Sequence, residues 1–448
     1  MMDIKLFNGL HDKLETFVPI HQGQVTMYVC GPTVYDFVHI GNLRPVVVFD
    51  VLKKLLIALG YQVKHVSNYT DIDDRIIEKA KKENLDEKTI AKKFIKAYQA
   101  DVANMNASLP DMTPTVTEHL PAMIKFIQSL MTKGFAYKTP SGDVFFRVRK
   151  IKDYGRLSHV DVNEIKVGAR VEENQNKEDP LDFALWKHTT EGITFPAPFG
   201  NGRPGWHTEC VVMIQETFQQ SLIDIHGGGF DLKFPHHENE IAQSIAMNQT
   251  HLANYWLHNG FINLNAEKMS KSTGNIFLAK DFLSTYEGPL LRYLLLATHY
   301  RMPVNITSTI IENTQQELSK LQIAVQQLAT FIQLHGGQLI NKSLPAPIEF
   351  LQALSNDINT ANALTYLHQY VKITNGFLRE KAPSVNDLLH RFFTIQAMLT
   401  ILGLFISFPI LTKEDYQLYK DYLSAKQAQD FLKSDAIRDA LKKRLILI

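Results

Sequence analysis

The run VTMYVC at residues 25–30, closed by Gly31 and Pro32, decides the fold of this chain. Its β-branched and apolar residues predict a strand, and the Gly-Pro pair predicts a turn. A helix is predicted to begin near Asn42, with Pro45 in its first turn, where a missing N–H costs little. Gly60 should end this helix, and residues 63–66 predict the next strand. A strand, a helix and a second strand in this order predict a doubly wound α/β fold. The predicted apolar stripe of the helix consists of Val47, Val48, Val51, Leu52, Leu55 and Leu59.

The segment from about residue 111 to residue 205 interrupts this alternation, because it is rich in proline and contains the polar stretch EENQNKED. We interpret it as an insertion between two halves of the α/β core. The α/β pattern resumes at Trp206 and ends near Tyr300, and apolar residues recur at helical spacing from Thr307 onward. The predicted domains are residues 1–306 with the insertion at about 111–205, a helical bundle at 307–412, and a short tail at 413–448.

Composition narrows the class of protein without naming a partner. Hydrophobic residues make up 45% and charged residues 21% of the 448 residues, which is ordinary for a globular protein of two or three domains. The formal net charge of +1 neither supports nor excludes a nucleic-acid partner. There is no long uncharged apolar run and no signal-peptide pattern, so we predict a cytoplasmic protein that does not enter a membrane.

Two short segments have the composition of phosphate-binding loops. HIGN at residues 39–42 lies between the first strand and its helix, and free backbone N–H groups at a helix N-terminus suit a phosphate. KMSKS at residues 268–272 places two lysines and two hydroxyls in a predicted mobile loop. Each segment alone is more typical of ordinary surface. Their occurrence in this order favours a joint role in binding a nucleotide.

The two segments resemble the paired HIGH and KMSKS signatures of class I aminoacyl-tRNA synthetases, which activate an amino acid with ATP on a Rossmann-type fold. The resemblance implies ATP with Mg²⁺ as a substrate. The chain has Asn42 where those enzymes usually have a second histidine. Asparagine keeps a donor and an acceptor but cannot carry a proton charge. The implied roles are catalytic for His39, Asn42, Lys268 and Lys271, and ATP-binding for Gly41 and Lys271.

The only two cysteines, Cys30 and Cys210, are too few for a disulfide framework. Each stands beside a motif, Cys30 at the end of the first strand and Cys210 at the end of GWHTEC. Further along, PHHENE at residues 235–240 offers a histidine and a carboxylate at i,i+4 spacing. Two thiolates, one imidazole and one carboxylate suit Zn²⁺. The spacing is no regular zinc-finger pattern, and the residues alone leave the choice between His236 and His237 open.

Several motifs are similar to those of the cysteinyl-tRNA synthetase family, in its order and over essentially the whole chain. They are MYVCG at 27–31, TDIDD at 70–74, GWHTEC at 205–210, HGGG at 226–229, FPHHENE at 234–240 and DINT at 357–360. The resemblance implies tRNA(Cys), L-cysteine and ATP as partners. It also implies one zinc ion per subunit, which would select the substrate thiol against serine without an editing domain. The implied zinc ligands are Cys30, Cys210, His236 and Glu240, and the implied amino-acid pocket residues are Thr70, Trp206 and His226.

Two alternatives remain from the sequence. A cysteine ligase of the mycothiol pathway shares the adenylate step and the metal site but passes cysteine to an amino-sugar, and the long helical C-terminal region disfavours it. A non-catalytic paralogue that binds zinc and nucleotide is disfavoured by intact His39, Lys268 and Lys271. The modestly basic tail at 413–448 is expected to contact the anticodon region, although it ends sooner than in many members of the family.

Overall fold

The structure is a computed structural model that describes residues 2–161, 176–264, 276–340, 344–444 and 446, together with the backbone of 267–268. Strands and helices alternate up to residue 306, and helices follow. The strands are β1 (Lys5–Asn8), β2 (Lys13–Thr16), β3 (Gln24–Val29), β4 (Gln62–Ser67), β5 (Ala136–Lys138), β6 (Val144–Phe146), β7 (Phe183–His188), β8 (Gly202–Pro204), β9 (Ile223–Gly229), β10 (Ala253–Asn259), β11 (Ile262–Leu264), β12 (Glu267–Lys268) and β13 (Val304–Ile306).

The helices of the described residues fall into two groups, those around the sheets and those of the C-terminal half. The first group is α1 (Ile40–Ala58), α2 (Asp74–Glu83), α3 (Glu87–Asn104), α4 (Val116–Thr132), α5 (Trp206–Phe218), α6 (Glu238–Asn248), α7 (Ala279–Thr285) and α8 (Gly288–Leu296). The second group is α9 (Ser308–Leu334), α10 (Ile348–Ser355), α11 (Thr360–Leu378), α12 (Val385–Leu402), α13 (Lys413–Gln427) and α14 (Phe431–Lys443).

The central sheet is parallel, with the strand order β10-β9-β3-β4. Its strands alternate between two apolar cores: Leu257 packs into the core that includes α1, whereas Trp256 packs into the core that includes α5 and α6. Parallel sheets covered on both faces are typical of doubly wound α/β folds, so the predicted fold class is confirmed. Ligands in such folds bind outside the carboxyl ends of the strands.

The segment between β4 and β9 forms a separate antiparallel sheet with the strand order β5-β6-β7-β8. It precedes α5, which begins at Trp206. The polar stretch at 172–179 lies partly outside the described residues. The remaining strands form a two-stranded sheet, β1-β2, and a three-stranded sheet, β12-β11-β13.

The C-terminal half is helical, with α9 through α12 sharing the core that contains α1. Helices α13 and α14 pack around a small cluster of Leu411, Leu441 and Ile446. Among the described residues, no helix combines the length and apolar character that crossing a membrane would require.

The prediction for the start of α1 is wrong by two residues. The helix begins at Ile40, where the backbone N–H of Ile40 donates to the carbonyl of Phe277 at 3.1 Å. Pro45 therefore lies inside the helix, where it cannot donate to the carbonyl of Gly41. The contact that sets this helix end comes from a residue more than two hundred positions away, which local sequence patterns do not reveal.

Candidate metal centre and active site

Four predicted metal ligands from three parts of the chain meet at one buried point. Cys30 follows β3, Cys210 lies in α5, and Glu240 lies in the first turn of α6. His236 lies in the single helical turn Lys233–His237 that leads into α6. One potential ligand atom from each of these four residues lies within 4.8 Å of the others. The fold thus brings together the set that the sequence predicted.

The distances among the two sulfur atoms and His236 fit a tetrahedral zinc shell, whereas His236 and Glu240 lie at hydrogen-bond distance, closer than the about 3.3 Å that such a shell requires. Bond lengths of about 2.3 Å for Zn–S and about 2.0 Å for Zn–N place two sulfur ligands about 3.8 Å apart, and a sulfur and a nitrogen about 3.5 Å apart. The two Sγ atoms are 3.7 Å apart, which is far beyond a disulfide bond, and His236 Nε2 is 3.7 Å from each of them. Glu240 Oε1 is 3.8 Å from Cys30 Sγ and 2.8 Å from His236 Nε2.

The electrostatics of the cluster treat its two thiols differently. Burial, together with Cys210 and Glu240, raises the pKa of the Cys30 thiol well above its ordinary value. The hydrogen bond from Cys30 lowers the pKa of the Cys210 thiol to about 6. Burial alone would raise the pKa of Glu240, but the neighbouring His226 and His236 outweigh it and hold that pKa well below its ordinary value. Burial alone would lower the pKa of His236, but Glu240 and Cys210 outweigh it and raise that pKa to about 10, so His236 can carry one balancing positive charge. Two thiolates and a carboxylate would need more positive charge than one imidazolium supplies, and a divalent metal would provide it.

A second set of ligand atoms overlaps the first: Cys30, His226, His237 and Glu240 also lie within 4.8 Å of one another. This set leaves out Cys210, whose Sγ lies 3.7 Å from that of Cys30. Zinc prefers soft thiolate ligands, so the set with both cysteines fits better. The geometry therefore favours His236 over His237, the choice that the residues alone left open.

Two of the three predicted pocket residues, Trp206 and His226, contact predicted metal ligands, and Thr70 bonds to Glu209, the neighbour of Cys210. Trp206 stacks on His236 with ring centroids 4.1 Å apart. Its side chain remains 39% exposed, so the indole ring separates His236 from solvent. His226 Nε2 lies 2.7 Å from Glu240 Oε2. The hydroxyl of Thr70 donates to Glu209 Oε2 at 2.7 Å. Trp206 and Glu209 also line a cavity of about 270 Å³ on the insertion side.

Glu209 is a site residue for which sequence reasoning gave no role, although it belongs to the quoted motif GWHTEC. It is buried, and burial raises the pKa of its carboxyl well above the ordinary value despite the hydrogen bond from Thr70. The available signal was its position one residue before Cys210, a predicted metal ligand.

The first signature segment lies at the N-terminus of α1. His39 is the residue that caps this helix, and its backbone N–H donates to Asn42 Oδ1 at 3.1 Å. Burial lowers the pKa of the His39 imidazole, and Asp231 partly offsets this effect. Gly41 occupies the first turn, and the N-terminus of a helix suits an anion. Its neighbours Ile40 and Asn42 already donate their backbone N–H groups to the carbonyls of Phe277 and His39.

The second signature segment lies mostly outside the described residues, including Lys271. The backbone of Lys268 ends β12, opposite Asn263, so the segment begins as a strand rather than as a loop. Residues directly after the segment pair with the first signature: His39 bridges Leu278, and the N–H of Ala279 donates to the carbonyl of Val38 at 2.9 Å. The chain therefore returns to the α1 N-terminus immediately after KMSKS.

Comparisons with known proteins decide the family. Residues 16–316 match the family model described as tRNA synthetases class I (C) catalytic domain, and residues 349–406 match the DALR domain. The chain is 42% identical to a cysteine–tRNA ligase of Lysinibacillus sphaericus over 100% of this chain and 97% of that protein. A cysteine–tRNA ligase of Anoxybacillus flavithermus is also 42% identical with the same coverage.

The chain belongs to the cysteinyl-tRNA synthetase family. It is accordingly a class I aminoacyl-tRNA synthetase, an enzyme of the ligase class. The expected family is confirmed.

Solved structures of other synthetases share the fold of this cysteinyl-tRNA synthetase family member. A Mycobacterium tuberculosis methionyl-tRNA synthetase in complex with methionyl-adenylate is 14% identical, with a TM-score of 0.58 over 85% of this chain and 90% of that chain. A putative arginyl-tRNA synthetase from Campylobacter jejuni is 14% identical, with a TM-score of 0.56 over 87% of this chain and 94% of that chain.

Proposed function

We propose that this protein activates L-cysteine with ATP and transfers it to tRNA(Cys). The observation that carries the proposal is the convergence of two cysteines, a histidine and a glutamate beside Trp206 and Thr70. Full-length relatives at 41–42% identity carry the name cysteine–tRNA ligase. In the first step, the carboxylate of cysteine attacks the α-phosphate of ATP, which gives cysteinyl-adenylate and pyrophosphate. In the second step, a terminal hydroxyl of the tRNA takes the cysteinyl group and releases AMP.

Discrimination between cysteine and serine is the part of this function that needs special chemistry, because the two differ by one atom and an ordinary pocket separates such near-isosteres poorly. Cys30, Cys210, His236 and Glu240 would hold one zinc ion, which supplies a preference for a thiolate over a hydroxyl. Trp206 and His226 would enclose the side chain of the substrate cysteine. Thr70 and Glu209 would form hydrogen bonds with the polar groups at its Cα.

ATP activation requires positioning and positive charge rather than a protein nucleophile. The α1 N-terminus with Gly41 offers backbone N–H groups to phosphate, and His39 can donate to an oxygen on which charge develops. Lys268 and Lys271 would balance the charge of the departing pyrophosphate, and Mg²⁺ would accompany ATP. The return of residues 276–279 to this helix end supports the joint action of the two signatures.

The helical half would hold the tRNA away from the chemistry. We propose a catalytic domain at 1–306 with its insertion at 111–205, a helical bundle at 307–412 and an anticodon-region tail at 413–448. The DALR match at 349–406 lies inside the proposed bundle. We also keep the cytoplasm as the predicted location.

The test is cysteine-dependent exchange of pyrophosphate into ATP, followed by charging of tRNA(Cys) with the same preparation. We expect exchange with cysteine and none with serine, and charging only of the cysteine tRNA. Exchange with no charging, together with coupling of cysteine to an amino-sugar, would establish the mycothiol-type ligase instead. No exchange with cysteine would refute both ligase functions.

A further inference from the structure

His237 stands between a metal-ligating cysteine and another buried histidine. Its Nε2 lies 3.4 Å from Cys30 Sγ, and its Nδ1 lies 2.9 Å from His258 Nε2. His237 is fully buried and His258 is 8% exposed, so water does not compete freely for these contacts. His258 comes from β10 in the central sheet, whereas His237 directly precedes α6. The three residues thus form a hydrogen-bonded chain from the sheet to the proposed metal centre.

The protonation state of Cys30 fixes the direction of this chain. As a zinc ligand, Cys30 is a thiolate and can only accept a hydrogen bond. A neutral imidazole has one N–H, so an N–H on Nε2 of His237 leaves its Nδ1 as an acceptor. That acceptor then receives the N–H of His258 Nε2.

The alternative is that His237 itself binds the metal. Ligation through Nε2 would replace its hydrogen bond to Cys30, and the corresponding ligand set excludes Cys210. With Cys30, Cys210, His236 and Glu240 as the ligands, His237 does not bind the metal and can donate a hydrogen bond to the Cys30 sulfur.

Two other ligands have an imidazole partner of the same kind. His236 Nδ1 lies 3.1 Å from His207 Nδ1, and Glu240 Oε2 lies 2.7 Å from His226 Nε2. Partners that hold metal ligands from outside typically change metal affinity by about 10- to 100-fold when they are lost. Within the described part of the chain, Cys30 is the only one of these three residues whose imidazole partner has a hydrogen bond to the ring of a further histidine.

We propose that His237 and His258 are positioning residues that hold the Cys30 thiolate by a directed pair of hydrogen bonds, His258 to His237 to Cys30. The inference rests on the zinc site of the proposed function. The donated hydrogen bond fixes the sulfur and draws electron density from it. A zinc ion held by this sulfur would then have a stronger preference for a further thiolate.

The experiment compares His237→Phe, His237→Gln and His258→Phe with the full-length wild-type protein. Zinc affinity is measured by competition with a chromophoric chelator, and the thiolate-to-metal absorption band is measured after cobalt substitution. We expect His237→Phe to weaken zinc binding about 10- to 100-fold and to shift the band. His237→Gln, whose amide N–H can replace Nε2–H, should recover most of the affinity. His258→Phe should shift the band in the same direction by a smaller amount.

The matched control is His65→Phe. His65 on β4 is 6% exposed, and within the described residues neither of its ring nitrogens has a hydrogen-bond partner. Its replacement removes a buried imidazole without touching the cluster, so affinity and band should stay at wild-type values. A wild-type affinity and band in His237→Phe would overturn the proposal while leaving the zinc site intact. Loss of zinc from both His237 variants would show that His237 is a ligand. A wild-type protein without zinc would overturn the metal site and the proposal together.

Discussion

Asn42 accepts a hydrogen bond from the backbone N–H of His39, with 3.1 Å between nitrogen and oxygen. The Asn42 side chain thereby caps the N-terminus of α1, where the first signature segment lies. Because an acceptor is all that this contact requires, the absence of the second histidine of the HIGH motif does not leave the helix end open.

This relationship predicts the behaviour of two variants at position 42. Asn42→His should retain cysteine-dependent pyrophosphate exchange, because a ring nitrogen can accept the same hydrogen bond. Asn42→Ala should lower the exchange rate about fivefold or more, which corresponds to loss of one hydrogen bond worth about 1 kcal/mol. Equal rates in the wild type and both variants would show that the side chain has no part in the reaction.

Lys271 is predicted to act mainly in the transition state, because its charge is needed as pyrophosphate departs. Lys271→Ala should lower kcat for activation by about 10²-fold or more, the usual effect of losing one preorganised donor. The KM for ATP should change less. Lys280→Ala is the control, since Lys280 is an exposed lysine nearby that pairs with Asp281. An exchange rate in Lys271→Ala equal to that of the control would contradict the assigned role.

The metal centre predicts one tightly held zinc ion per chain. Cys30→Ser replaces a soft ligand by a hard one, so zinc should bind more weakly and the KM for cysteine should rise. Elemental analysis of purified wild-type protein and of the variant checks the first point, and exchange kinetics check the second. The assignment fails if the wild type contains no zinc, or if the variant holds zinc and cysteine as tightly as the wild type.

A buried ion pair joins α1 to α8 and predicts a large effect on stability. Arg292 pairs with Asp50, and both side chains are almost fully buried. Arg292 also donates to the backbone carbonyl of Leu402 at the end of α12. Arg292→Met should lower the free energy of unfolding by about 3–5 kcal/mol, because it leaves a buried carboxylate without its main partner. Urea unfolding measures this effect. The exposed pair Arg438–Asp435 provides the control, where Arg438→Met should cost less than about 1 kcal/mol.

The same pair predicts a pH dependence. Burial alone would raise the pKa of Asp50, but Arg292 and Lys54 outweigh it and hold that pKa below its ordinary value. A carboxylate of this kind stabilises the fold above its unfolded pKa and loses that contribution as the pH falls through its folded pKa. The free energy of unfolding should therefore decrease from about pH 4 downward. Asp50→Asn should flatten this part of the profile, and an unchanged slope would exclude Asp50 as its source.

The parts of the fold that depend on local patterns were predictable from the sequence. Residues 25–29 of the predicted first strand lie in β3, residues 63–66 lie in β4, and α1 ends before Gly60 as expected. The start of α1 was not predictable, because a distant backbone contact to Phe277 sets it. Local periodicity carries no information about such a partner.

In the candidate site, too, some features follow from the sequence and others depend on the three-dimensional arrangement. Cys30, Cys210 and Glu240 stand out by residue type and motif, and the structure brings them together. The choice between His236 and His237 depends on how the turn before α6 is oriented, because neighbouring helical residues point about 100° apart. The raised pKa of the Glu209 carboxyl is caused by its burial, which the sequence does not display.

The C-terminal tail predicts a separation of the two steps of the reaction. Helices α13 and α14 have their own small core of Leu411, Leu441 and Ile446 and lie outside the main core. Removal of residues 413–448 should therefore leave cysteine-dependent pyrophosphate exchange largely intact. Charging should fall sharply, because remote binding energy helps to position the acceptor end of the tRNA.

The deletion can also disturb α9, because Gln333 of α9 accepts a hydrogen bond from the N–H of Leu411 and Leu334 of α9 packs against the small tail core. A second variant that keeps the packing of the tail is therefore needed. Lys433, Lys442 and Lys443 lie exposed on α14, and their joint replacement by glutamine removes three cations without removing packing. Phosphate contacts release counterions, so each lost contact should reduce the salt dependence of charging. We expect the triple variant to charge tRNA less well at low salt and with a shallower salt slope than the wild type, with exchange unchanged. Undiminished charging by both the deletion and the triple variant would show that the tail does not bind tRNA.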